Sequence, residues 1–267
     1  MKKSITLLSM LLIAMLLFTA ARRKPVTLFL VGDSTMADKE KLVESPERGW
    51  GQLFPTYLDS TKVVVANYAR NGRSTHSFIT EGRWDMVLDR LSKGDIVIIQ
   101  FGHNDTKRSD PNRFASITDY RSNLLRMVKE TKAKGAIPVL ATSIARRKYD
   151  HNGVPVQAHG GYVEAMRDVA RFTGVTLLDM NAATTQWLQD MGVEQTKKYF
   201  MHVEPGIYSD IPDGKKDNTH LQENGALQVG RIAYDLILQS DCQALKNVLA
   251  AQPSETPVYT THIPGYK

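Results

Sequence analysis

The sequence carries one cysteine, Cys242, among 267 residues. A lone thiol excludes an internal disulfide, so the fold must rest on core packing. Cys242 also lies far along the chain from every polar motif described below, and a thiol nucleophile is not expected there. No apolar run reaches the ~20 residues that a membrane-spanning helix needs. The longest, Ile5 to Phe18, follows Lys2 and Lys3 and ends in Thr19, Ala20 and Ala21. That order of charge, apolar stretch and small residues predicts a secretory signal peptide over residues 1–21, and hence an exported, periplasmic or extracellular, protein. No cysteine follows the run, so a lipid anchor has no attachment point, and no stable membrane insertion is expected after cleavage. A basic stripe with interleaved aromatics is missing too, which argues against a nucleic-acid partner.

Linkers rich in Pro, Gly or Ser and internal repeats are likewise absent. The expectation is one domain over residues 22–251 and an irregular tail over 252–267 bearing Pro253, Pro257 and Pro264. With 42% hydrophobic and 23% charged residues, the composition is that of an ordinary globular chain. The formal charge of +6 falls to +4 without residues 1–21, which hold two lysines and no acid. A mild positive excess favours polyanionic partners without identifying one.

Short β-branched runs alternate with longer amphipathic stretches. Strands are predicted at 26–31, 62–68, 95–101, 137–142 and 175–180, each a continuous apolar run suited to burial on both faces. Helical patterns fall at about 50–59, 83–91, 118–134, 162–172, 181–190 and 223–238. The alternation predicts an α/β fold with a five-stranded parallel sheet, right-handed crossovers and helices on both faces. Residues 191–216 read as one long loop, a length that is often functional.

Three predicted strands end in polar motifs: Gly32-Asp33-Ser34-Thr35, Ala69-Arg70-Asn71-Gly72 and Gly102-His103-Asn104-Asp105. In an open parallel sheet, ligands bind outside the carboxyl ends of the strands, so the three motifs should converge on one crevice. Ser34 offers a hydroxyl and a backbone N–H, Gly72 an approachable N–H, and Asn104 an amide donor, which together suit an oxyanion. A hydroxyl needs a base. Of seven histidines, His220 alone stands three residues after an aspartate, Asp217, immediately ahead of an apolar helix. That spacing, about one helical turn, would let carboxylate and imidazole meet. Each motif has a plainer reading: a turn at Ser34, Gly72 or Asn104, a helix cap at Asp217, a surface imidazole at His220. Their combination favours acyl transfer.

Gly32-Asp33-Ser34, Gly72, Gly102-His103-Asn104-Asp105 and Asp217-Asn218-Thr219-His220 resemble the blocks of the SGNH (GDSL-like) hydrolases. The segments Asn71-Gly72-Arg73-Ser74-Thr75, Glu81-Gly82-Arg83-Trp84-Asp85, Arg146-Arg147, Phe200-Met201-His202 and Pro212-Asp213-Gly214 are similar to the rhamnogalacturonan acetylesterase branch. The resemblance runs from about Thr27 to Ala233. It implies a three-layer α/β/α sandwich of flavodoxin-like form and Ser34, Asp217 and His220 as catalytic triad. It also implies an oxyanion hole of Ser34, Gly72 and Asn104, acetyl-ester hydrolysis on an acidic pectic polysaccharide, and neither metal nor organic cofactor.

Arg70, Arg73, Arg146 and Arg147, with Lys107 and Arg108, follow strand ends and are expected to border the crevice, where guanidinium groups grip carboxylates or merely form a solvated rim. Trp84 is expected in the core more than on a sugar. His103, His202 and Asp105 do not have the spacing of the usual zinc motifs. Rival readings are an SGNH esterase for acetylated xylan, another acyl sugar or a lipid, and a non-catalytic carbohydrate-binding protein; the second has no use for the triad.

Overall fold

The computed structural model describes residues 25–261, and the predicted signal peptide lies outside them. Five strands, β1 (Val26–Gly32), β3 (Val63–Asn67), β4 (Ile96–Gln100), β5 (Ile137–Ala141) and β6 (Thr176–Leu178), form one parallel sheet in the order β3-β1-β4-β5-β6. Two layers follow from the alternation of side chains along a strand. Leu28, Leu30, Ile96 and Ile98 face one apolar cluster; Phe29, Val31, Val97 and Ile99 face the other. The first cluster is closed by α1 (Trp50–Leu53), α6 (Met180–Gln195), α7 (Glu223–Gln239) and α8 (Gln243–Val248). The second is closed by α2 (Thr75–Thr80), α3 (Arg83–Leu88), α4 (Ile117–Ala133) and α5 (Tyr162–Thr173). The expected three-layer α/β/α sandwich results.

Three elements depart from expectation. The helix expected through residue 59 ends at Leu53 and passes into a 3-10 turn, Phe54–Tyr57. Pro55 explains this, because it has no N–H to extend the α-helical ladder. Residues 75–80, given no element by the sequence, form α2, started by a capping box in which the side chains of Ser74 and Ser77 each accept the other's backbone N–H. Residues 191–216 are not one loop: α6 continues across a break at Gly192, and a strand follows.

That strand belongs to a second sheet that the sequence did not announce. It is antiparallel, built from β2 (Glu47–Arg48), β7 (Phe200–Val203) and β8 (Lys215–Gln222) in the order β2-β8-β7. Between its paired residues β8 bulges: Phe200 faces Leu221, whereas the next residue, Met201, faces Asp217. Asn218, Thr219 and His220 are thus left without opposite numbers, and the bulge thrusts them out of the sheet. Residues 252–261 hold no helix or strand but are tied down. Val258 N–H donates to Thr56 Oγ1 at 2.9 Å, Thr260 N–H to Gln52 O at 2.8 Å, and Thr260 Oγ1 to Asp38 Oδ1 at 2.8 Å. Residues 262–267 lie outside the described part.

Candidate active site

Ser34 occupies the turn leaving β1, and the turn is held from several sides. Asp33, fully buried, accepts from the backbone N–H and the hydroxyl of Thr35 at 2.9 and 2.8 Å. Its other oxygen lies 3.2 Å from His103 Nδ1. Burial opposes the Asp33 charge, but His103 and these donors hold its pKa below the ordinary carboxylate range. From the other side, Trp50 N–H donates to Thr35 O at 2.9 Å, and Gln100 Nε2 donates to Thr35 Oγ1 at 2.9 Å. A side chain at Gly32 would meet Gln100 O at 2.8 Å, so β1 and β4 approach this closely only with glycine there.

His220 reaches the same point from the bulge of β8. Its Nε2 is 2.8 Å from Ser34 Oγ, and its Nδ1 is 2.7 Å from Asp217 Oδ2. Asp217 and His220 meet across a bulge and not along a helical turn, which corrects the expectation; α7 begins only at Glu223. Asp217 shapes the bulge by accepting from the backbone N–H groups of Thr219 at 2.7 Å and His220 at 3.1 Å. Burial works against its charge, yet the His220 imidazole and these N–H groups keep its pKa well below the carboxylate range.

The turn after β3 supplies Gly72 at φ 78°, a left-handed conformation that favours glycine. Asn104, buried after β4, donates one amide hydrogen to Arg73 O at 3.0 Å and keeps a second. Ser34, Gly72, Asn104, Asp217 and His220 line one open hollow of about 380 Å³, joined by His103, Lys107, Arg113, Arg146, Glu47, Asn71 and Thr219.

The four expected arginines separate. Arg146 lines the hollow and donates from Nη2 to His103 O at 3.3 Å; its Nη1 bonds Thr219 Oγ1. Arg70 and Arg73 line a neighbouring hollow that shares Glu47 and Asn71 with the first, and Arg73 pairs with Glu81 at 2.9 Å. Arg147, expected on the rim, is buried and points inward. It donates to Thr196 Oγ1 at 3.0 Å, to Asn218 Oδ1 at 3.1 Å and to Val193 O, while its backbone N–H donates to Asn218 O at 2.8 Å. Its guanidinium therefore props the bulge that carries His220 and is spent on internal oxygens. Trp84 is fully buried, with Nε1 donating to Glu130 at 2.6 Å. Lys39, Glu47, Arg113 and Lys215 around the site carry no motif, and sequence reading passed over them.

A hydroxyl aligned with imidazole and carboxylate, facing amide donors at the carboxyl end of a parallel sheet, is an arrangement for acyl transfer. The chain belongs to the GDSL-like lipase/acylhydrolase family, whose model matches residues 30–225, and it is a carboxylic ester hydrolase. It is 38% identical to the rhamnogalacturonan acetylesterase RhgT of Bacillus subtilis over 213 residues, which cover 80% of this chain and 90% of that one. The crystal structure of the Bacillus subtilis protein YXIM is similar, with a TM-score of 0.70 and 25% identity over 81% of this chain; the match spans 57% of that protein. A catalytic mutant of Axe2, an acetylxylan esterase from Geobacillus stearothermophilus, shares the fold at a TM-score of 0.54 and 16% identity, covering 81% of this chain and 95% of that one.

Proposed function

We propose that the protein is an exported acetylesterase acting on an acetylated acidic polysaccharide of the rhamnogalacturonan type. The observation that carries the reaction is the line from Ser34 Oγ through His220 to Asp217, with steps of 2.8 and 2.7 Å. Ser34 Oγ attacks the acetyl carbonyl carbon as its proton passes to His220 Nε2. Asp217, receiving Nδ1–H, stabilises the imidazolium. The oxyanion accepts from the N–H groups of Ser34 and Gly72 and the free amide hydrogen of Asn104. Collapse returns the proton from Nε2 to the departing sugar oxygen and leaves an acetyl ester on Ser34. A water then adds with its proton taken by the same imidazole, and acetate leaves as Ser34 regains its hydrogen.

The substrate class draws support from the name of the 38% identical relative and from the wall of the hollow. Lys107, Arg113 and Arg146 stand together there. Burial, with the charges of Arg113 and Arg146, pushes the Lys107 pKa down against Asp110 and Asp33. Arg113 is paired with Asp110 at 3.0 Å, whereas Lys107 has no ion pair among the described residues and is open to a counter-charge. A uronate carboxylate supplies that charge. Acetylated rhamnogalacturonan, acetylated xylan and a simple aryl acetate, each incubated with the protein and with Ser34→Ala, test the reading by acetate release. Release from the pectic substrate by the unaltered protein alone is expected. Near-normal turnover by Ser34→Ala would rule out the mechanism, and preference for xylan would overturn the substrate. Export rests on the residue 1–21 pattern and is tested by amino-terminal sequencing of protein recovered outside the cytoplasm.

A further inference from the structure

Lys39 is an ammonium almost without water, its side chain only 9% exposed. It donates to Ser34 O at 2.8 Å and to Asn71 Oδ1 at 2.6 Å, and pairs with Glu47 Oε1 at 3.1 Å. A single side chain thus ties the turn carrying Ser34 to the turn carrying Gly72. The second oxygen of Glu47 lies 3.1 Å from Lys215 Nζ. Lys215 Nζ is in turn 3.5 Å from Asp217 Oδ2, the oxygen that faces His220 Nδ1. Glu47 and Lys215 stand on adjacent strands, β2 and β8.

We propose that Lys39, Glu47 and Lys215 are positioning residues, a brace of alternating charge that fixes the Ser34 turn, the Asn71–Gly72 turn and the Asp217–His220 pair as one unit and biases protonation of the imidazole. The proposal rests on the esterase reading above and adds residues that touch none of the reacting atoms, although Glu47 also lines the hollow. Buried charges persist only when paired. Burial pulls the Lys39 pKa down against the pull of Glu47. Burial likewise opposes the charge of Lys215, but Glu47 and Asp217 hold its pKa above the ordinary lysine value. Glu47 remains ionised against burial through Lys39, His220 and Lys215.

The signs along the brace yield opposite outcomes for its members. Neutralising Glu47 removes an anion that acts on His220 and leaves the ammonium groups of Lys39 and Lys215 uncompensated beside the Asp217–His220 pair, which disfavours the imidazole proton. Neutralising Lys215 removes a cation beside Asp217 and favours that proton. The other charged and titratable groups around His220 are Asp217 on its own strand, Lys107, Arg113 and Arg146 from the loops after β4 and β5, and Asp33 with its partner His103. All are retained in every variant and cancel in the comparison.

The acid limb of kcat/KM for an aryl acetate is measured on the unaltered protein, Glu47→Gln and Lys215→Met, with melting curves to verify folding. Glu47→Gln is expected to move the limb to lower pH and Lys215→Met to higher pH, each by roughly 0.5–1 pH unit. Lys39→Met is expected to lower kcat on the order of 10-fold with KM little changed, with partial rescue by Lys39→Arg. Limbs that coincide, or that move in the same direction, overturn the bias, and wild-type kcat in Lys39→Met overturns the strap. If the unaltered protein turns over no ester, the esterase reading fails separately. The imidazole proton resonances of His220 then read the brace directly, and the same opposed displacements are required.

Discussion

Replacing Asp105 by asparagine should change how stability depends on pH. Asp105 is fully buried behind the hollow; its Oδ1 accepts from the Thr75 N–H at 2.9 Å and the Thr75 hydroxyl at 2.6 Å. Its Oδ2 has no hydrogen-bond partner among the described residues. Burial pushes the pKa up to about 7 from 3.8, despite the Thr75 donors. The unfolded chain gives up this proton near the ordinary value, while the folded chain keeps it until about pH 7. Over that window the folded state binds more protons, so the contribution of Asp105 is fully present below the unfolded pKa and is lost as pH rises through the folded one. Integrated from pH 5 to pH 8, the loss is roughly 2–3 kcal/mol. Asparagine preserves the Oδ1 acceptor and cannot titrate. Its steric effect is the same at both pH values, so the difference between them isolates the proton. Urea unfolding followed by tryptophan fluorescence at pH 5 and pH 8 should show Asp105→Asn gaining about 2–3 kcal/mol on the parent across the interval. Parallel profiles for the two proteins would refute the argument and mean that Asp105 is ionised when folded.

Arg147→Met should lower the unfolding free energy by roughly 3 kcal/mol, since it strips a buried guanidinium from three internal oxygens; an unchanged denaturant midpoint would return Arg147 to the rim. Lys107→Ala combined with Arg113→Ala should raise KM for acetylated rhamnogalacturonan about 10-fold or more and leave an aryl acetate unaffected, one charge-assisted hydrogen bond being worth that much. Equal effects on both substrates would deny the wall a role in recognising acid. Gly225→Ala would place a methyl group 2.0 Å from Tyr199 O, where α7 passes the segment leading into β7. A stability loss of about 2 kcal/mol or more in a thermal melt is expected, and a parental melting curve would show that the helix can give way.

The main sheet was legible because its strands are buried on both faces. Ile96–Gln100, for instance, is buried throughout, and such runs leave a continuous apolar signature. The three strand-end motifs were legible for a topological reason, since parallel strands deliver their carboxyl ends to one edge. The second sheet left no such trace. Lys215-Lys216-Asp217-Asn218-Thr219-His220 is polar, and its pairing with Phe200–Val203 is broken by a bulge, so no period of two survives to be read. Asp217 and His220 could therefore be chosen correctly as neighbours on a mistaken geometry. A bulge that projects Asn218, Thr219 and His220 between paired residues brings together the same two side chains that a helical turn would. Arg146 and Arg147 show another limit. They are adjacent and chemically identical, yet one borders the hollow and the other supports the bulge from within. Lys39 and Glu47 lie in no motif at all, and their roles arise only from contacts across the fold.

Hydroxyl and imidazole are borne by different sheets. Ser34 leaves the parallel sheet through β1, and His220 arrives on the small antiparallel one through β8. Their alignment therefore gauges how well two separately built pieces sit against each other. As denaturant rises, ester hydrolysis should fade while the far-ultraviolet dichroism of the larger piece still holds. Inactivation would then be the first visible sign of loosening, well ahead of global melting.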